Sequence, residues 1–225
     1  EANIPQGEKQ FAAQTYTAMA DSLLQLAREA RDSTIKSEAL AAALQEANQA
    51  MNVDPSFAPA RFTRAQIYDE LGKKDTALAD LREAVRLAPD NYVYAYELGK
   101  ALYLQKKYAE AKVQFTTVTR LKKDFETNYY NLGLTCKALG QNQEALASFK
   151  SAVSVKPDYT KAHIEIARLL EKSTDYKGAL ASYMQALNIE PGNIQALRET
   201  AALYTKTGNF TEAERYFKEA LLLGS

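Results

Sequence analysis

Small and apolar residues recur along this chain with a period of 34 residues. Counted from the start of each repeat, position 8 is always alanine or glycine, position 20 is always alanine, and position 24 is always a large apolar or aromatic residue. Proline stands at the same place before four of the five repeats. The repeats begin at Ala58, Tyr92, Glu126, Thr160 and Ile194. A constant period of this length predicts an array of repeated two-helix elements.

Within each repeat, the apolar positions predict two amphipathic helices. Positions 4, 7, 8 and 11 fall on one face of a first helix, and positions 20, 24, 27 and 28 fall on one face of a second. Gly72, Gly140 and Gly208 occupy position 15, between the helices, where a left-handed helix ending favours glycine. Gly99 and Gly133 lie inside first helices, where glycine costs about 1 kcal/mol relative to alanine. We therefore expect antiparallel helix hairpins without strands, and a neighbouring helix close to these two glycines.

The first 57 residues follow the repeat less closely. The residues spaced as one face of a first helix are Tyr16, Met19, Leu23, Leu26 and Ala30. Residues 37–51 predict a second helix that ends before Pro55, and Arg61 and Arg64 occupy core positions of the repeat that follows. We interpret residues 1–57 as an N-terminal segment with a divergent first hairpin. Residues 58–225 then form five repeats, at 58–91, 92–125, 126–159, 160–193 and 194–225.

The motif of the repeat is clearest in the third copy. It carries Tyr129, Leu132 and Gly133, followed by Ala145, Phe149, Ala152 and Pro157. This order resembles the signature of the tetratricopeptide repeat. The resemblance covers residues 58–225 and implies an all-α fold, a right-handed superhelical solenoid of antiparallel helix hairpins. It also implies a protein-protein interaction scaffold that docks a peptide segment or a partner helix in a concave groove.

Composition removes several other classes of protein. Lysine plus arginine equals aspartate plus glutamate at 28 each, so there is no basic excess for nucleic acid, and the strict 34-residue period disfavours the related 35-residue RNA-binding repeats. The longest apolar run has six residues, 39–44, whereas a membrane span needs about 20. Cys136 is the single cysteine and excludes a disulfide within the chain. The sequence begins at Glu1 without methionine, so we expect a missing upstream segment, and the compartment stays open between cytoplasmic and exported or periplasmic.

No set of polar residues predicts catalysis. The sequence has no phosphate-binding glycine loop, no cysteine pair and no metal-binding histidine motif. His163 is the only histidine and falls at position 4 on the core face, where a hydrogen-bonded structural histidine is expected. We therefore predict no enzymatic activity, no metal and no cofactor.

The first helices carry a second stripe at positions 2, 5, 9, 12 and 13, which lines the concave groove in this family. Position 5 is bulky in four of the five repeats, and basic residues increase toward the C-terminus, with only Glu171 opposing them on these positions. We predict a peptide-binding groove formed by Phe62, Tyr96, Lys100, Tyr103, Tyr130, Asn131, Leu134, Lys137, Lys161, Ile164, Arg168 and Arg198. Its ligand would carry aromatic or apolar anchors and acidic residues. The alternative that the tyrosines only pack between adjacent first helices stays open.

Three other functional interpretations were weighed. Chaperone-binding members of the family hold a terminal carboxylate with a clamp; Asn131 and Lys161 fit that clamp, but Tyr96, Lys100 and Glu165 do not, which argues against it. A structural homo-oligomer is the first remaining alternative, because the last helix ends in an apolar Leu-Leu-Leu sequence. The second is a targeting module of a larger enzyme.

Overall fold

The computed structural model describes residues 5–224, a range that contains twelve helices and no strand. The helices are α1 Gln6–Glu29, α2 Ser33–Val53, α3 Ala58–Glu70, α4 Lys74–Leu87, α5 Tyr92–Leu104, α6 Tyr108–Leu121, α7 Glu126–Ala138, α8 Asn142–Val155, α9 Thr160–Lys172, α10 Tyr176–Ile189, α11 Ile194–Lys206 and α12 Phe210–Leu223. Residues 1–4 of the predicted N-terminal segment and Ser225 of the predicted fifth repeat lie outside the described residues. The all-α fold class is confirmed.

The helices form two compact bodies that divide between Leu121 and Lys122. The N-terminal body holds α1–α6 and the C-terminal body holds α7–α12. Within each body, consecutive odd and even helices pair as hairpins, and each second helix packs on the first helix of the hairpin that follows in the same body. This arrangement leaves one side of each first helix outside the core of its own hairpin. We call it the outer side of the first helix, and the candidate site lies there.

The hairpin core follows the repeat. Positions 8, 20 and 27 are buried in all five repeats. Position 24 is buried in the first four repeats, but Phe217 in the fifth is 45% exposed, so the prediction that it is a core residue was wrong. Within the described residues, no helix follows α12 to cover this ring.

Position 8 carries glycine where a phenylalanine ring lies directly against the backbone. A Cβ atom added to Gly133 would lie 2.6 Å from the ring of Phe149, and one added to Gly99 would lie 2.8 Å from the ring of Phe115. The close approach expected at these glycines is therefore made by the second helix of the same hairpin. Repeats 1, 4 and 5 have alanine at position 8, with Leu81, Tyr183 and Phe217 at position 24, so glycine is confined to the two repeats in which the Phe115 or Phe149 ring lies against this backbone.

The turn between the two helices is left-handed at position 15 in every repeat. Gly72, Gly140 and Gly208 have φ angles of 73°, 75° and 80°. Lys106 and Thr174 occupy the same position with φ angles of 60° and 65°, although side chains with a Cβ disfavour this region. The hairpin therefore imposes the same turn geometry on residues that do not favour it.

Helix α1 buries a face that matches the predicted one only in part: Tyr16 and Leu23 pack against the core, but Met19 and Leu26 do not. Met19 is 46% exposed and Leu26 is 49% exposed. The buried residues are Ala13, Thr17, Ala20, Leu24 and Ala27. Small residues on this face meet buried alanines of α2, so backbone proximity decides the orientation of the helix rather than side-chain size. Helix α2 also begins earlier than predicted, at Ser33, because the Asp32 carboxylate accepts hydrogen bonds from the backbone N–H groups of Thr34 and Ile35.

The two arginines at core positions of repeat 1 are paired. Arg64 donates to both carboxylate oxygens of buried Asp80, from Nε at 2.7 Å and from Nη2 at 2.8 Å, and its Nη1 donates to Asn48 at 2.9 Å. Arg61 reaches the same carboxylate at 3.4 Å. This cluster joins α2, α3 and α4, so polar contacts fasten the divergent first hairpin to repeat 1.

We expect Gly133→Ala to destabilise the chain by about 1 kcal/mol, because overpacking against Phe149 costs about 1–3 kcal/mol and the better helix propensity of alanine returns about 1 kcal/mol. On a Phe149→Leu background, the same substitution should be neutral or stabilising, since the leucine leaves room for the methyl group. Denaturant unfolding of the two single variants and the double variant measures this coupling. Additive effects would show that the ring does not set the residue at position 8.

Candidate functional site

The predicted aromatic residues of the N-terminal body are half-buried on the outer side of the first helices. The ring of Tyr96 lies 5.9 Å from that of buried Phe115, and the Nζ of Lys100 lies 5.4 Å from the Tyr96 ring centre. Tyr103 meets Tyr108 edge-on at 5.3 Å. Each ring therefore has one part fixed against the hairpin and another part exposed to solvent.

Phe62 is the predicted site residue of α3. It is half-buried, and its ring lies 4.7 Å from that of Tyr94 at the start of α5. The structure thus brings the first helices of repeats 1 and 2 together through an aromatic pair, with the solvent-facing part of Phe62 toward the outer side.

In the C-terminal body, Tyr130 holds the corresponding place on α7. Its ring lies 5.4 Å from Phe149 and 5.2 Å from Tyr159. Asn131 and Leu134 are half-buried beside it on the same helix, whereas Lys161 on α9 and Arg198 on α11 are exposed. Tyr130 is therefore anchored on two sides like the aromatic residues of the N-terminal body.

Ile164 does not belong to the exposed face. It is 3% exposed and lies in the same apolar cluster as Tyr183, Leu187 and Leu197. Apolar residues of α10 and α11 cover position 5 in this repeat, so the prediction of Ile164 as a ligand-contacting residue was wrong.

Position 6 carries a glutamate in repeats 2, 4 and 5. The predicted basic stripe did not include these carboxylates, which pair with its lysine and arginine side chains. Glu97 accepts from Lys100 at 2.8 Å. Glu165 is buried and accepts from Lys137 and from Arg168, both at 2.5 Å. Position 6 lies one helical turn from positions 2, 9 and 10, so these carboxylates share the face of the predicted basic residues.

Glu199 extends this pairing to the next first helix. Its carboxylate accepts from the Nε of Arg168 at 2.8 Å and from the hydroxyl of Tyr183 at 2.9 Å, and Nη2 of Arg168 also donates to it. Burial alone would raise the pKa of Glu199, but the bonds from Arg168 and Tyr183 outweigh it and hold that pKa below its ordinary value of 4.5. Hydrogen bonds to Glu199 and, to a smaller extent, to Glu165 raise the pKa of Arg168.

These ion pairs between neighbouring first helices reduce the positive charge that the basic stripe offers to a ligand. Lys137 and Arg168 already neutralise carboxylates of the chain, and Lys206 pairs with Glu171 at 3.1 Å. Among the described residues of the basic stripe, three exposed side chains form no ion pair with a carboxylate, namely Lys161, Lys172 and Arg198. The attraction for an acidic ligand is therefore confined to a smaller region than the sequence indicated.

A cavity of about 580 Å³ opens on the outer side of α3 and α5 in the N-terminal body. Two predicted site residues, Phe62 and Lys100, line it. Gln66 and Leu104 also line it, although the sequence analysis did not select them. Leu104 could have been found from the repeat, because position 13 holds glutamate, alanine or lysine in the other four repeats.

Other kinds of site find no support in the described range. Residues 5–224 contain no group of three or more histidine, cysteine, aspartate or glutamate side chains placed to hold a metal ion. None of the helices described has both the length and the hydropathy needed to span a membrane. The Nε2 atom of His163 lies 2.8 Å from the carbonyl oxygen of Pro157, in keeping with a structural role.

Comparison with known families agrees with the fold. Family models described as tetratricopeptide repeat match residues 62–114, 127–159 and 170–224. The chain belongs to the tetratricopeptide repeat family. Tetratricopeptide repeat folds generally act as interaction scaffolds without catalysis of their own.

Several known proteins and solved structures resemble this chain. Protein unc-45 homolog B from Homo sapiens is 27% identical over an alignment of 135 positions, which covers 54% of this chain and 14% of that protein. The crystal structure of MamA has a TM-score of 0.69 at 22% identity, covering 71% of this chain and 94% of that one. YrrB, described as a TPR protein with an unusual peptide-binding site, has a TM-score of 0.68 at 21% identity, covering 79% and 91%. The chain thus spans about a seventh of the curated relative, and the two structural matches show the fold alone.

The Glu199 contacts predict an acid-sensitive contribution to stability. Because the folded pKa of Glu199 is lowered, this contribution is complete above the unfolded value near 4.5 and is lost as the pH falls through the folded value. At pH 7, Glu199→Gln should reduce the free energy of unfolding by about 1–3 kcal/mol, since charge-assisted hydrogen bonds are replaced by neutral ones. Denaturant unfolding from pH 7 to pH 3 should show this difference shrinking.

Glu214→Gln is the matched control, because Glu214 pairs with Lys218 on α12 with both side chains at least two-thirds exposed, at 66% and 70%. Its effect at pH 7 should be much smaller than that of Glu199→Gln, because an exposed ion pair contributes little to stability. A Glu199→Gln difference that stays constant down to pH 3 would contradict the assigned role of the carboxylate.

Proposed function

We propose that this chain is a non-catalytic protein-interaction scaffold that docks a peptide segment or a partner helix in a groove along its first helices. The observation that carries the proposal is the recurrence of half-buried aromatic side chains at position 5, namely Phe62, Tyr96 and Tyr130. Each ring is held by another ring of its own body and keeps part of its surface in solvent. Such pre-positioned aromatic residues bind a ligand with little loss of side-chain entropy.

The paired charges define the ligand more narrowly. Lys100, Lys137 and Arg168 stabilise the chain's own carboxylates, so they contribute little to the capture of acidic residues. The expected ligand is therefore a peptide with apolar or aromatic anchors. Within the C-terminal body, the exposed Lys161 and Arg198 would attract acidic side chains of a ligand. The peptide-binding site named for YrrB supports a peptide as the partner of this chain.

A displayed library of random peptides supplies a ligand for testing this proposal. We expect Tyr96→Ala and Tyr130→Ala to weaken selected peptides by about 30-fold, because truncation of an anchor typically costs about 2 kcal/mol of binding free energy. Calorimetric titration at a temperature where each variant is fully folded measures the change per folded molecule. Phe11→Ala, at a 73% exposed aromatic residue on α1, is the control and should leave binding unchanged.

The Tyr130 ring also packs against Phe149, so its truncation changes stability as well. A lowered melting temperature with unchanged affinity per folded molecule would mean that the aromatic residues at position 5 serve packing alone. Arg168→Glu is unsuitable as a probe of ligand charge, because it would place a third carboxylate between Glu165 and Glu199.

A specific surface favours self-association as a second candidate function. Phe210, Phe217 and Leu221 lie on one face of α12 and are 68%, 45% and 74% exposed. Exposed apolar side chains grouped in this way are typical of interaction surfaces.

If α12 mediates association of copies, the sedimentation coefficient should rise with protein concentration. The double variant Phe217→Ser, Leu221→Ser should abolish that rise, because it removes the two adjacent apolar side chains of the face. Val113→Ser, at a 60% exposed apolar residue on α6, should have no effect. A monomeric wild type across the whole concentration range would exclude this candidate.

A further inference from the structure

The cavity between α3 and α5 has an apolar floor. Ala65, Ala77 and Leu81 are buried beneath it, and Ala101 lines it as a half-buried residue. Its volume of about 580 Å³ lies within the range of roughly 300–1,000 Å³ that is typical of ligand pockets. The cavity belongs entirely to the N-terminal body.

Comparison with the repeats of the C-terminal body explains why space is left here. Position 10 of the first helix is Ala101 in repeat 2, but Leu169 and Leu203 in repeats 4 and 5, where the side chains are 5% and 1% exposed. Position 24 beneath the cavity is Leu81, whereas Phe149 and Tyr183 occupy it in repeats 3 and 4. At the interface between repeats 1 and 2, both positions therefore carry smaller side chains than at the interfaces between repeats 3 and 4 and between repeats 4 and 5.

The mouth of the cavity is apolar where other repeats are polar or small. Leu104 is 75% exposed at position 13, and the equivalent residues are Glu70, Ala138, Lys172 and Lys206. A single exposed leucine is ordinary on a protein surface. Its place beside Phe62 at the opening of an apolar cavity extends the contact area available to an apolar ligand.

The charged residues around the opening are already paired with one another. Lys74 pairs with Asp69 at 2.6 Å and Lys100 with Glu97 at 2.8 Å, whereas Arg28 and Lys36 share Glu70 at 3.0 Å and 3.4 Å. A charged ligand group would have to displace one of these partners, whereas an uncharged group disturbs none. Because these charged side chains already have partners, the rim is best matched by an uncharged ligand segment.

We propose that this cavity, the α3–α5 pocket, receives one large apolar side chain of leucine or phenylalanine size from a partner peptide whose residues next to that anchor carry no net charge. This inference rests on the proposed scaffold function and places its principal anchor site in the N-terminal body.

The minimal anchor can be tested directly with N-acetyl-phenylalanine amide. In the complete chain labelled at alanine methyl groups, we expect saturable chemical-shift changes at Ala65, Ala77 and Ala101, with a dissociation constant in the millimolar range or tighter and little dependence on salt. N-acetyl-aspartate amide should produce no saturable change. Equal responses to both compounds, or shifts spread over exposed alanines without saturation, would overturn the pocket.

Ala101→Leu tests the cavity itself, because it restores the residue type found in repeats 4 and 5. It should weaken the capped phenylalanine at least tenfold and leave the melting temperature unchanged or raised. Leu104→Ser, at the exposed mouth, should weaken it several-fold without affecting the fold, and Val113→Ser is the matched control on α6. Unchanged affinity in both pocket variants would refute the assignment.

Library-selected peptides distinguish a failure of this inference from a failure of the scaffold function. If such peptides bind and Ala101→Leu leaves their affinity unchanged, the pocket is not the anchor site, although the scaffold function stands. If no library peptide binds while the capped phenylalanine still fills the cavity, the scaffold function fails. That second outcome also overturns the peptide part of the present proposal, because the pocket would then serve a small apolar molecule.

Discussion

The close approach of two helices within each hairpin is the constraint on which this structure depends. Positions 8, 20 and 27 hold small residues in almost every repeat, with Val118 as the one larger side chain, and they are buried throughout. The glycines at position 8 accept the rings of Phe115 and Phe149 directly on the backbone. Because the backbones meet there, the orientation of each first helix is fixed, and with it the side that faces solvent.

The period of the sequence was sufficient to predict the hairpins, because buried small residues recur at constant intervals. It could not predict which additional positions are exposed, since exposure depends on what the neighbouring hairpin contributes. Ile164 illustrates this limit: it occupies the same position as Tyr96 and Tyr130, yet residues of α10 and α11 cover it. In α1, where the period is absent, the predicted face included Met19 and Leu26, which are exposed. The face that packs on α2 is instead the one that carries the buried alanines of α1.

The charges of the first helices show a second limit of sequence analysis. A count along the predicted stripe gave an excess of basic residues, but the glutamates at position 6 lie one turn away and form pairs across adjacent first helices. Glu165 and Glu199 thereby link α7, α9 and α11 through Lys137 and Arg168. Lys137 and Arg168 were predicted to bind a ligand, but they form ion pairs that link the first helices of the C-terminal body. The remaining binding capacity is mainly apolar, and it is concentrated where side chains are smaller than their equivalents in other repeats.

The left-handed turn residues carry an implication for how such an array diverges. Lys106 and Thr174 adopt the same backbone conformation as the three glycines at position 15. The turn is therefore dictated by the two helices that it connects, and its own residue type is a minor influence. Over evolutionary time, the connection inside a hairpin is free to drift, whereas the alanines at position 20 and the small residues at position 8 are not. Sequence divergence among relatives should consequently accumulate in the turns and on the exposed sides of the helices. The spacing of the small residues should be the most strongly conserved feature of the sequence.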